Sequence, residues 1–201
     1  MNILYSDKDM VVCVKPIGVD SEHGLPSLLS EELGGDVFTV HRLDLNVGGV
    51  MVYARNKATA AALSRAITEG SFIKEYFALV HNIPPQSGDW EDLLFKDKSK
   101  NKVFVVTRER KGVKKARLEY TRLTDDGVSP ALVRIRLHTG RSHQIRVQFA
   151  SRGFPLLGDG KYGARDDLTA PRLYSCKLTF PLFGKEYSFE SAPDWAKQKL
   201  P

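Results

Sequence analysis

The chain has 201 residues, 42% of them hydrophobic and 27% charged, with a formal net charge of +6. This length and balance suit one domain with a buried core. Residues Met1 to Asp9 hold neither a basic stretch followed by an apolar run nor a small-residue cleavage site, which excludes a secretory signal. No apolar run approaches the roughly 20 residues of a bilayer-crossing helix, so a soluble, cytoplasmic protein is expected. Cys13 and Cys176 lie in no CxxC or Cys/His spacing, which suggests neither a disulfide framework nor a metal site.

Short apolar or alternating runs predict strands at Ile3 to Tyr5 and Met10 to Val14. A helix follows over Pro26 to Leu33, with proline in its first turn and Gly34-Gly35 beyond it. Strands are predicted at Val37 to Val40 and Val50 to Ala54, then a helix over Lys57 to Glu69 between Asn56 and Gly70. Further strands cover Ile73 to Val80, Val103 to Val106 and Ala131 to Leu137. In the last of these Val133, Ile135 and Leu137 share one face, and Leu132, Arg134 and Arg136 the other.

In Ser142 to Arg152 the residues Ile145, Val147 and Phe149 alternate as in a strand, yet Ile145 and Phe149 also suit a helix. The serine start and the Gly153 stop favour the helix. Strands at Leu173 to Phe180 and Glu186 to Phe189 complete the chain. Many strands with helices on one side and short Gly/Pro/Asp/Asn turns predict an α+β fold on a largely antiparallel sheet, a single domain over 1–201.

Charge is unevenly placed. From Glu91 to Arg122 there are 11 Lys or Arg against 5 acids, so this segment alone carries the excess of the whole chain. Such a concentration suits a polyanion partner, and equally a solvated lysine-rich loop.

Three segments carry chemistry. His41-Arg42-Leu43-Asp44 sets a carboxylate where a strand gives way to a turn holding Gly48 and Gly49, two residues that would let a ligand come close. His138 to Phe149 gathers imidazole, amide and guanidinium groups around Gly140, with Arg141 and Arg146 able to pair with phosphate or carboxylate. In Lys74-Glu75-Tyr76 strand alternation puts Lys74 and Tyr76 on one face, where a tyrosine can stack on a base or fill the core.

Together these segments resemble the RluA-type RNA pseudouridine synthases. The likeness starts at Lys15-Pro16-Ile17-Gly18 and passes through His41-Arg42-Leu43-Asp44 and Lys74-Glu75-Tyr76. It continues with Lys115 to Tyr120, reaches Thr139-Gly140-Arg141-Ser142-His143-Gln144-Ile145-Arg146, and ends in Gly153 to Gly163, similar to the family's GxPxxGDxxYG stretch. HRLD alone is a weak signal; all segments in this order are strong. One departure is Val47-Gly48, where the family usually has Thr-Ser.

The resemblance implies one catalytic domain, its mixed, largely antiparallel sheet flanked by helices around a central RNA-binding cleft. It implies no cofactor and no metal, a monomer, and rRNA or tRNA as partner. Asp44 would be the essential carboxylate, either a nucleophile or a base. Arg146 would be its cation, and Tyr76 the residue packing on the flipped base. Arg42, His41, Lys74, Arg141, His143 and Gln144 would contact RNA. Two alternatives stand beside this reading. One is a catalytically silent RNA-binding module on the same fold. The other is a glycosidase pairing Asp44 with a second acid, for which Asp159 is the nearest candidate.

Overall fold

The computed structural model describes residues 2–200; Met1 and Pro201, the ends of the expected domain, lie outside the described residues. In chain order come β1 (Asn2–Ser6), β2 (Met10–Lys15), α1 (Gly24–Leu33), β3 (Phe38–Thr39), β4 (Gly48–Ala54), α2 (Lys57–Glu69) and β5 (Ile73–Val80). There follow β6 (Ser87–Asp97), β7 (Lys102–Val106), β8 (Val113–Arg122), β9 (Ala131–Leu137), α3 (Gln144–Ala150), β10 (Leu173–Leu182), β11 (Lys185–Glu190) and α4 (Asp194–Lys197). The chain divides into two compact units. One runs to Glu75 and resumes over Tyr174–Pro193; the other comprises Tyr76–Leu173 and the residues from Asp194 onward.

In the first unit β2 pairs antiparallel with β1 and with β4, from Met10 opposite Ala54 to Lys15 opposite Gly49. β10 joins β4 in parallel at Gly48 and Gly49, and β3 and β11 pair antiparallel with β4 and β10. The α+β class and the mixed, largely antiparallel sheet are therefore as expected. One face of β2, β4 and β10 gives Met10, Val12, Val50, Val52, Ala54, Leu178, Phe180 and Leu182 to a core closed by Leu63 and Ala66 of α2. The opposite face is equally buried at Val11, Cys13, Met51 and Tyr53. Burial on both faces explains why β4 reads as an unbroken apolar run.

Local chemistry sets the helix ends. The Asn56 side chain accepts the Thr59 N–H at 2.8 Å and Gly70 ends α2 in the left-handed region, as its flanking residues predict. α1 starts at Gly24, two residues before the expected Pro26, because the Asp20 carboxylate accepts the N–H groups of Glu22 and His23. Proline then sits within the first turn, where its missing N–H removes no helical bond.

The second unit is built on β9, β8, β6 and β7, all antiparallel. α3 packs on β6 and β7 through Val147, beside Leu94, Val103 and Ala116. Gln144–Ala150 is helical, as expected, though shorter than Ser142 to Arg152. β6 is absent from the sequence reading for a physical reason. Its inward row includes Asp92, whose carboxylate accepts from Gln148 at 2.7 Å and Arg152 at 2.8 Å on the α3 side, so the apolar alternation is interrupted by an acid.

Candidate active site

Asp44 lies between two anchored residues. On one side, the Leu43 N–H donates to Ser21 Oγ at 3.2 Å while that hydroxyl donates to the Leu43 carbonyl at 2.9 Å. On the other, the Leu45 carbonyl accepts from Lys15 Nζ at 3.2 Å and from the Gly18 N–H at 2.9 Å. The Asp44 carbonyl itself accepts the Val47 N–H at 2.9 Å, closing the turn.

Lys15 is the central element of this clamp. It is 1% exposed, and its ammonium also donates to the carbonyls of Pro16 at 2.9 Å and Val19 at 2.8 Å. Three carbonyls thus compensate a buried charge. Burial pushes its pKa down to about 8, against the pull of Asp20 and Asp44. The sequence marks Lys15 only as part of a turn motif. The usable signal is a charged residue ending an otherwise apolar strand.

The glycines after Asp44 serve the fold. Gly49 has φ +126°, and a Cβ there would stand 2.3 Å from the Ser175 carbonyl oxygen, so the close neighbour is β10 and not the ligand that the sequence suggests. At Gly48 a Cβ would stand 3.1 Å from the Lys15 carbonyl oxygen and 3.7 Å from the Tyr174 ring.

His41 also works inward. Its Nε2 accepts the Val52 N–H at 3.1 Å, and its ring lies 5.4 Å from that of Phe72. Loss of solvation, with a smaller contribution from Lys74, pushes its pKa down to about 3. The imidazole is therefore neutral, with its proton on Nδ1. Arg42 points out and pairs with Glu22 at 2.6 Å, both largely solvated. Lys74 lies in β5, and burial lowers its pKa. Tyr76, in the same strand, is buried.

In the second unit Arg146 is held firmly. Its Nε and one terminal nitrogen donate to the two oxygens of Asp159 at 2.7 and 2.8 Å, and its guanidinium carbon lies 5.1 Å from the Tyr162 ring centroid. Asp159 is 1% exposed and Arg146 8%. This geometry weighs against Asp159 as a second glycosidase acid, because both its oxygens serve Arg146. The Tyr162 hydroxyl accepts the Val103 N–H at 2.9 Å and stands 2.9 Å from His143 Nδ1. His143 itself occupies the left-handed region, φ 50°, at the start of α3.

Gln144 is 2% exposed and brackets the turn before α3. Its oxygen accepts from the Thr139 hydroxyl at 2.8 Å and the Arg141 N–H at 3.0 Å, while its nitrogen donates to the Arg117 carbonyl at 3.0 Å. Arg141 is exposed, and its Nε donates to the Lys115 carbonyl at 2.9 Å. The structure thus gathers His41, Arg42 and Asp44 with Lys15 and Ser21 in one unit. In the other it gathers Arg141, His143, Gln144 and Arg146 with Asp159 and Tyr162. Lys15, Ser21 and Asp159 are the supporting residues to which sequence reasoning gives no such role.

Comparison with known proteins adds a chemistry. Residues 9–151 match the family described as RNA pseudouridylate synthase. A dual-specificity RNA pseudouridine synthase RluA of Salmonella typhi is 31% identical over 209 residues, covering 96% of this chain and 93% of that protein. An uncharacterized RNA pseudouridine synthase of Aquifex aeolicus (strain VF5) is 33% identical over 193 residues, 87% of this chain and 60% of its own length. The chain likewise spans 55% of a ribosomal large subunit pseudouridine synthase C of Buchnera aphidicola. In fold it resembles the solved structure of human RNA pseudouridylate synthase domain containing 4, with TM-score 0.81 and 24% identity over 98% of this chain and 91% of that one.

Proposed function

Because the chain belongs to the RNA pseudouridylate synthase family, we propose that it isomerises specific uridines of rRNA or tRNA to pseudouridine, with Asp44 as the catalytic carboxylate. In this reading residues 1–201 act as one catalytic domain, a cytoplasmic monomer whose partner is RNA. The observation that carries the proposal is the clamp on Leu43 and Leu45, which fixes the chain on both sides of one carboxylate. A fold that invests a buried lysine in holding a surface turn has a use for what that turn presents.

The reaction breaks N1–C1′, turns the uracil and forms C5–C1′; N1 gains a proton and the C5 hydrogen leaves to solvent. Nothing is oxidised and no water is consumed, so the chemistry asks for no cofactor. Asp44 either attacks covalently or removes a ribose proton, and both routes use the ionised carboxylate. Arg146 is the second catalytic residue of this reading, its guanidinium kept in place by Asp159. Tyr76 packs on the flipped base. Arg42 fills the vacated stack, because its exposed pair with Glu22 is weak enough to exchange. Lys74, Arg141 and His143 contact RNA. His41 and Gln144 hold their loops, since their polar atoms are engaged within the fold.

The test is to treat total RNA with purified protein and analyse its nucleosides. Pseudouridine should appear with wild type and not with Asp44→Asn, which should still bind RNA. Release of free uracil or sugar would instead indicate a hydrolase, and full activity of the variant would defeat the assignment.

A further inference from the structure

The most basic part of the chain folds into β6, β7 and β8, whose inner face packs on α3 through Leu94, Val103 and Ala116. Alternation puts Leu93, Phe95, Phe104, Val106 and Val113 on the outer face. Phe95 stands directly opposite Phe104 on one side and Val113 on the other. Phe104 is 36% exposed, an uncommon position for a large aromatic ring. Two cations rim the patch. The Arg110 guanidinium carbon lies 4.5 Å from the Phe95 ring centroid, and Lys102 Nζ, at the edge between the two faces, lies 5.9 Å from that of Phe104 and 5.3 Å from that of Tyr162.

Charge selects the occupant. Residues 95–115 hold nine Lys or Arg and two acids. Of the acids, Asp97 accepts the N–H groups of Ser99 and Lys100, and Glu109 makes a solvated pair with Lys115 at 3.9 Å, which leaves the remaining cations of the segment in excess. Further along the same face the pattern changes, for Arg117 is paired with Asp89 at 2.8 Å and Glu119 at 3.0 Å. The net positive rim is thus confined to the aromatic end. A second copy of the chain would bring the same positive rim against it, whereas a nucleic acid strand brings phosphates for the cations and base faces for the rings.

We propose that the outer face of β6–β8, centred on Phe104 and Phe95 with Lys102 and Arg110 at its rim, docks a single-stranded segment of the substrate RNA. The inference rests on the pseudouridylation reading and adds where a flanking strand lies. Stacking there tolerates any base, so the face contributes affinity and leaves sequence choice to other contacts.

The experiment compares binding of a labelled oligouridylate of about 12 nucleotides, within the length such sites occupy, with binding of inorganic polyphosphate of similar charge. Wild type should favour the oligouridylate. Phe104→Ala should weaken oligouridylate binding about tenfold, as loss of one stacked base does, and leave polyphosphate binding unchanged; Phe104→Trp should restore the preference. If Phe104→Ala fails to fold, Lys102→Gln serves instead and should weaken both ligands. Unchanged oligouridylate affinity in these variants, with a wild type that still modifies total RNA, overturns the docking face and leaves the function standing. A wild type that neither binds nor modifies RNA overturns both. A wild-type dimer that Phe104→Ala converts to monomer at constant RNA affinity assigns the face to a second copy and also overturns the proposal.

Discussion

Around Asp44 the fold grips main chain, whereas around Arg146 it grips a side chain. Lys15 and Ser21 reach the backbone of residues 16, 19, 43 and 45 and leave the intervening side chains to vary. Arg146, by contrast, is aimed by two charge-assisted bonds from one buried carboxylate and by the ring of Tyr162. A backbone clamp tolerates side-chain change in the loop it holds. A side-chain clamp fails with a single substitution. The two regions should therefore break differently.

The largest effect is expected at Asp159. Asp159→Ala removes both carboxylate acceptors from a buried guanidinium, a loss of about 3–5 kcal/mol, measurable by chemical denaturation and accompanied by loss of isomerisation. A change below about 1 kcal/mol would mean that the pair is no better than a surface ion pair. Lys15→Met comes next. It strips the carbonyls of Pro16, Val19 and Leu45 of a shared donor, at roughly 1–3 kcal/mol for the unsatisfied groups. Its mark should be a fall in turnover larger than the change in RNA affinity, because the loop bearing Asp44 is loosened while the basic segment is untouched.

An effect that appears only on acidification is one of pH. The folded pKa of His41, about 3, lies below the ordinary histidine value of 6.5, so between these values the unfolded chain binds the additional proton. Stability from this source is highest above the higher value and falls as pH drops through the window, the loss reaching about 2 kcal/mol near pH 5. His41→Asn, which can still accept the Val52 N–H, should flatten melting temperature against pH across that window. An unaltered profile would assign the acid sensitivity to other groups.

How legible each region was follows from the same contrast. α2 could be read to the residue because Asn56 and Gly70 cap it with their own local chemistry. β2 and β4 were legible from apolar runs buried on both faces. β6 was not, because Asp92 occupies its inward row and its partners Gln148 and Arg152 are more than fifty residues away. At the candidate site, it is family motifs spread along the chain that point to Asp44. Its clamp was not legible, since carbonyl acceptors are common to every sequence and only the folded chain shows which ones Lys15 reaches. Asp159 was visible as an acid in a glycine turn, but its pairing with Arg146 needed the fold.

The most direct test of the central claim follows the hydrogen that isomerisation must expel. RNA transcribed with uridine tritiated at C5 should release tritium to water when incubated with the wild-type protein, in step with the pseudouridine formed, and release none with Asp44→Asn although that variant still binds the transcript. Tritium release by Asp44→Asn at the wild-type rate would contradict the assignment of Asp44 as the catalytic carboxylate.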